Sequence, residues 1–236
     1  LTATFVPDKI TPLSVEELLL AAHDGYQIVM GAETDSAECL AATGAQLCLE
    51  SGNGQHAHQF NFHNEKRSKD WTGLFTRFKC DEIFDANTAA LAQKLGPCVV
   101  SPWKGGPRQR VVLLPPHPWT EFVAFETAAQ GTARYFEFLS CRERYRRAWK
   151  RAFVGDAVGF SLELGAAGYY TADVGAYTAG LASIAKRILP ICKRVITGDD
   201  YGITGQDREH ISAVALSLME TVYSRPADWV DGIASA

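Results

Sequence analysis

Methionine is scarce, with 2 in 236 residues, and no apolar run approaches the roughly 20 residues that span a bilayer. The absence of such a run gives no membrane span. The first residues, LTATFVPDK, lack the basic flank and apolar stretch of a secretory signal. Opening at Leu1 without methionine fits a processed product or a domain cut from a longer chain. There is no excess of positive charge: the formal net charge is -4 and the isoelectric point about 5.9, which argues against wholesale attraction to nucleic acid or an anionic membrane. No internal repeat, low-complexity tract or flexible linker divides the chain, so one domain is expected over residues 1–236, its core about 14–190, with a C-terminal helical extension about 199–236.

The six cysteines form no C-x-x-C pair that would suggest zinc or redox chemistry. They are buried reduced thiols or disulfides, and disulfides would fit work outside the cytoplasm. Cys39 and Cys48 fall on one predicted helix, about 14 Å apart at 1.5 Å per residue, too far to pair. Cys80 with Cys98 is the local pairing to test. What the chain does have is a hydrophobic share of 47%, enough for a well-cored globule.

Ser14 and Glu17 form a capping box before VEELLLAAHDGYQIVM, predicting a helix over Val15–Met30. Ser36 opens a second, AECLAATGAQLCLE, in which Leu40, Thr43, Leu47 and Glu50 share a face and Gly52 and Gly54 follow the end. Glu50 is therefore on the last turn, where the negative end of the helix dipole favours a neutral carboxyl. From Gln55 to Pro118 short segments such as WTGLFTRFKC and RQRVVLLP alternate with Gly, Pro and Asn breaks. Alternation around Phe75–Cys80 allows a strand, and DEIFDANTAALAQKLG reads as a helix ending at Gly96. Helical periodicity returns in four stretches from Glu126 to Ser224. The expected class is α+β, mainly α.

Three familiar chemistries fit poorly. His56, His58 and His63 lack a helical H-E-x-x-H and an assured fourth ligand, so no metal is expected. Ser51 fails the nucleophile elbow, which needs glycines where Leu49 and Asn53 stand. Asp199-Asp200-Tyr201-Gly202 does not meet the EF-hand spacing. The basic run Arg142 to Arg151 covers an exposed helix face or helps hold an anionic partner.

The remaining pattern is an ordered set. Leu49-Glu50-Ser51-Gly52-Asn53-Gly54 is followed by Asn61-Phe62-His63-Asn64, Trp71-Thr72-Gly73, Phe122-Val123-Ala124-Phe125, Tyr135, Arg144-Tyr145 and Ala167-Gly168-Tyr169-Tyr170-Thr171, leading to Tyr177 and Leu181. In this order the set resembles the glucosaminidase domain of glycoside hydrolase family 73, over roughly Ala41 to Ile188. The resemblance implies a lysozyme-like fold, with a helical lobe and a small strand-bearing lobe flanking a substrate groove. It also implies hydrolysis of β-1,4 bonds between N-acetylglucosamine and N-acetylmuramic acid in peptidoglycan, without a cofactor.

Residue by residue, the resemblance makes Glu50 the catalytic acid, Glu82 the second carboxylate and Tyr169 the tyrosine near the scissile bond. Asn61, Phe62, Trp71, Trp103, Tyr135 and Tyr170 become candidate sugar contacts, Trp103 through ring stacking. Arg134 stands where the family often has an Asp, and His63 and Asn64 replace its glycine region. Such cleavage needs a protonated acid at the leaving oxygen and help for an oxocarbenium-like centre, from Glu82, from a water held by Tyr169, or from the substrate's 2-acetamido group. The implied setting is secreted or periplasmic, as a monomer. Its partner is the glycan strand, with an immunity protein added if the domain is a toxin. A muramidase, or a wall-binding module without catalysis, are the readings left open.

Overall fold

The computed structural model describes residues 2–31, 36–170 and 172–198. The predicted C-terminal helix Gln206–Ser224 and the Asp199–Gly202 segment lie outside them. The chain divides into two compact units, one from Leu1–Pro12 and Gln55–Glu126, the other from Leu13–Gly54 and Thr127–Ala236. The architecture is α+β and mainly helical. Among the described residues no helix is long and apolar enough to cross a membrane.

The second unit is helical. α1 (Val15–Met30) starts at the expected box, with the Ser14 side chain accepting from Glu17 N and the Glu17 carboxylate accepting from Ser14 N. α2 (Ala37–Glu50) is capped by Ser36 and is buried at every position from Cys39 to Cys48. Small residues permit this. A Cβ on Gly44 would lie 2.5 Å from Leu19 Cδ2, so the helix packs at a distance that larger side chains would prevent.

α4 (Ala128–Cys141) packs on α1, and Gly25 sets their approach: a Cβ there would sit 2.3 Å from Thr132 Oγ1 and 2.5 Å from Ala133 N. The stretch Glu126–Lys150 is not one helix. It breaks at Arg142 into a 3-10 turn (Glu143–Tyr145) before α5 (Arg146–Phe153). α6 (Ala157–Ala166) begins at Asp156, and α7 (Val174–Thr197) begins at Asp173 and runs along α2.

The strand-bearing unit holds two three-stranded sheets. In the first, β1 (Thr4–Phe5) is parallel to β2 (Leu74–Arg77), which is antiparallel to β6 (Glu121–Val123). The second is antiparallel, with β5 (Gln109–Leu113) between β3 (Cys80–Phe84) and β4 (Cys98–Pro102). α3 (Ala86–Leu95) covers one face of it, packing Ala89 and Ala92 against Val111 and Leu113.

Two expectations are corrected here. The helix read over Asp81–Gly96 is a strand followed by a helix. The Asp85 carboxylate accepts from Thr88 N at 2.9 Å, capping α3 and leaving Asp81–Phe84 to the sheet. Nor do Cys80 and Cys98 pair: both are free and both stand opposite Leu113, on either side of β5. Two strand spacings, about 10 Å, exceed the Cα separation a disulfide can bridge. The other four cysteines are thiols rather than disulfides as well.

Candidate functional site

Glu50 closes α2, and the chain leaves it through a turn that the sequence specifies closely. Ser51 Oγ donates to Leu47 O at 2.6 Å and accepts from Gly54 N at 2.9 Å, so one buried hydroxyl joins the helix to the loop. Gly52, Asn53 and Gly54 have φ of 59°, 60° and 86°. Such a left-handed run favours glycine and tolerates asparagine. At Gly54 there is also no room, since a Cβ would meet Leu13 O at 2.6 Å.

Glu50 is a partly exposed residue, and Tyr177 from α7 donates its hydroxyl to Oε1 at 2.7 Å. The Tyr177 ring stacks on Tyr170, centroids 3.7 Å apart and planes 15° from parallel. Tyr170 is fixed in turn by donating to Ser161 O at 2.9 Å. One turn before Glu50 on α2, Gln46 is fully buried and accepts from the Tyr135 hydroxyl through Oε1. Tyr169 meets Phe138 and Tyr145 edge-on.

This is a carboxyl among neutral phenols. Burial raises the Tyr177 hydroxyl far above the ordinary phenol range, with the Glu50 charge and its hydrogen bond adding to the effect. Burial first, then the Glu50 charge, raises Tyr169, and Tyr135 is raised by burial, then by Tyr177 and Glu50. All three stay protonated over the working pH range, and Tyr177 is a permanent donor to Glu50.

The loop carrying Tyr169 and Tyr170 is held from outside by Arg144, which donates from Nε to Ala167 O and from Nη2 to Gly168 O at 3.3 Å. Gly168 turns it with φ +67°.

The other predicted residues are distributed as follows. Glu82 is on β3 in the strand-bearing unit, its Oε1 2.6 Å from Lys66 Nζ. Asn61, Phe62 and Tyr135 are at most 1% exposed, which removes them from direct sugar contact. Asn61 braces its own loop, accepting from Glu65 N and donating to Glu65 O, both at 3.0 Å. Phe62 is core. Trp71 is half-buried, donates to Leu74 O at 2.7 Å and meets Phe125 edge-on. Trp103 lies in the β4–β5 turn with Lys104 Nζ 5.0 Å from its ring centroid. His58 pairs with Asp8 at 2.8 Å and stacks on Phe78. Among the described residues no group of three or more His, Cys, Asp or Glu is placed to hold a metal ion.

Two members of the site escaped the candidate set. Tyr177 stood near the end of the quoted motif order but received no role, and Gln46 was unmarked although it lies four residues before Glu50 on the same helix face. No family model, curated protein or solved structure matches the chain.

Proposed function

We propose that the chain is a peptidoglycan glycan-strand hydrolase with a lysozyme-like arrangement, acting as an endo-β-N-acetylglucosaminidase with Glu50 as general acid. The observation that carries this is the 2.7 Å bond from Tyr177 to a partly exposed glutamate at the end of a buried helix. A carboxyl so placed is oriented by a donor that does not titrate with it, yet is open to a ligand.

Glu50 delivers its proton to the leaving glycosidic oxygen. Tyr177 holds the carboxyl in one rotamer, and Tyr170 holds Tyr177. Glu82, ion-paired with Lys66, is the proposed second carboxylate, activating a water or stabilising positive charge at the anomeric carbon. Trp71 and Trp103, both half-buried, are the proposed stacking surfaces for sugar rings. The place of action is the wall, outside the cytoplasm.

The test is Glu50→Gln on purified peptidoglycan. Loss of general-acid catalysis predicts a fall of about 10²–10⁴-fold with the fold intact; turnover near that of the parent protein overturns the assignment. Mass spectrometry of the released ends reports the bond. Reducing N-acetylglucosamine supports the proposal, reducing N-acetylmuramic acid makes the chain a muramidase, and retained sacculus binding without soluble fragments makes it a wall-binding module.

A further inference from the structure

α5 is electrostatically opposed to itself. Arg146, Arg147, Lys150 and Arg151 are all exposed, while Ala148, Trp149 and Ala152 face the core. Arg146 with Lys150 and Arg147 with Arg151 are like charges at i,i+4, an unfavourable spacing on a helix. The first turn carries two cations and no acid, against the helix dipole, and Tyr145 supplies no side-chain cap. Neighbouring carboxylates relieve part of this: Glu143 pairs with Arg146 and Asp156 with Arg151. No carboxylate among the described residues pairs with Arg147 or Lys150. In a chain of net charge -4, this row is a local reversal.

The segment just before the row is tied to a loop of the candidate site. Arg144, two residues before α5, grips the carbonyls of Ala167 and Gly168, and the next two residues are Tyr169 and Tyr170, the latter stacked on the tyrosine that holds Glu50.

We propose that the α5 face is a subsite for the acidic peptide stems carried by the wall glycan, with Arg147 and Lys150 meeting their carboxylates. This rests on the reading of the Glu50 site as one for peptidoglycan. Closely spaced carboxylates on a polymer supply the charge that α5 lacks, and guanidinium and ammonium groups are suited donors to them.

The test is co-sedimentation of the full chain, carrying Glu50→Gln so that the polymer is not consumed, with and without Arg147→Gln/Lys150→Gln. The probes are intact sacculi, glycan strands stripped of peptide by an amidase, and vesicles of anionic phospholipid. The double substitution is expected to weaken binding to intact sacculi about tenfold, two exposed cation–carboxylate contacts of ordinary worth. Binding to stripped strands is expected to be equal for the two proteins, and binding of the parent to intact sacculi is expected to weaken with salt. Circular dichroism establishes that the substituted protein is folded.

Equal binding of both proteins to intact sacculi overturns the proposal, as does a defect of the same size on stripped strands. Retention on vesicles but not on sacculi makes the face a lipid surface. If the Glu50→Gln protein binds stripped strands and only the charge effect is missing, the stem subsite alone falls; if it binds neither polymer, the reading of the Glu50 site falls with it.

Discussion

Tyr177→Phe removes the contact on which the proposed chemistry depends. The substitution removes one oxygen and leaves the ring, so the stack on Tyr170 at 3.7 Å is kept while the 2.7 Å bond to Glu50 is lost. A hydrogen bond to a charged group contributes about 1.5–3 kcal/mol, or about 10- to 150-fold in rate if all of it acts on the transition state. Glu50 is partly exposed, so water replaces some of the lost bond, and the expected fall is about tenfold.

Stability should change far less. The hydroxyl that is removed was itself desolvated, so its loss recovers part of the cost of the missing bond, and a net change within about 1 kcal/mol moves Tm by only a few degrees for a chain of this size. The assay is the initial rate of reducing-end release from purified peptidoglycan, beside a thermal melt of the same sample. Activity within twofold of the parent would refute the role given to Tyr177. A rate loss matched by a large drop in Tm would place the effect in folding instead.

Four further outcomes are expected. Glu82→Gln should lower turnover severely while leaving Tm nearly unchanged, because an exposed pair with Lys66 contributes about 0–1 kcal/mol; unchanged kinetics would reassign the second role. Gly54→Ala should destabilise by about 2 kcal/mol or more, combining φ +86° with a 2.6 Å approach to Leu13 O, and a denaturation midpoint equal to the parent's would contradict the close contact. Asn61→Ala removes both hydrogen bonds that close its loop and should cost about 1–3 kcal/mol, read from the same midpoint. Burial pushes the Cys48 thiol up to about 11 and that of Cys192 up to about 12, from an ordinary 9.0. Both folded values exceed the unfolded one, so this stability is complete below about pH 8.5 and is lost as pH rises towards 11–12, at up to about 1.4 kcal/mol per pH unit for each thiol; a urea midpoint that is flat from pH 8 to 10.5 would contradict it.

The parts of the molecule legible in the sequence were those specified over one or two helical turns. Ser14 with Glu17, and Ser36 before AECL, mark helix starts because a cap is a contact between near neighbours. Asp85 works in the same way with Thr88, but Ile83 and Phe84 before it merged with the helical apolar pattern and hid the boundary. Register was not legible: Cys80 and Cys98 are close in sequence, yet β5, contributed later in the chain, lies between them. The same limit applies to Tyr177, which lies 127 positions from Glu50, and no local periodicity connects them. Between adjacent Tyr169 and Tyr170, the turn at Gly168 and the grip of Arg144 decide which ring stacks against Tyr177.

The position of the acid along α2 follows from the burial of that helix. Between Cys39 and Cys48 every residue is buried, and an ionised carboxylate within that span would lose its hydration without a guaranteed partner. One turn before Glu50 the chain places an amide, Gln46, which is fully buried and satisfies the Tyr135 hydroxyl without carrying charge. Glu50 is the residue at which the helix has left the core far enough to keep some exposure, while its stem still lies within reach of Tyr177. A carboxyl within the buried span of the helix would be held but inaccessible. The helix end is where a carboxyl can be both positioned by a neutral donor and open to a ligand, which is the combination a general acid needs.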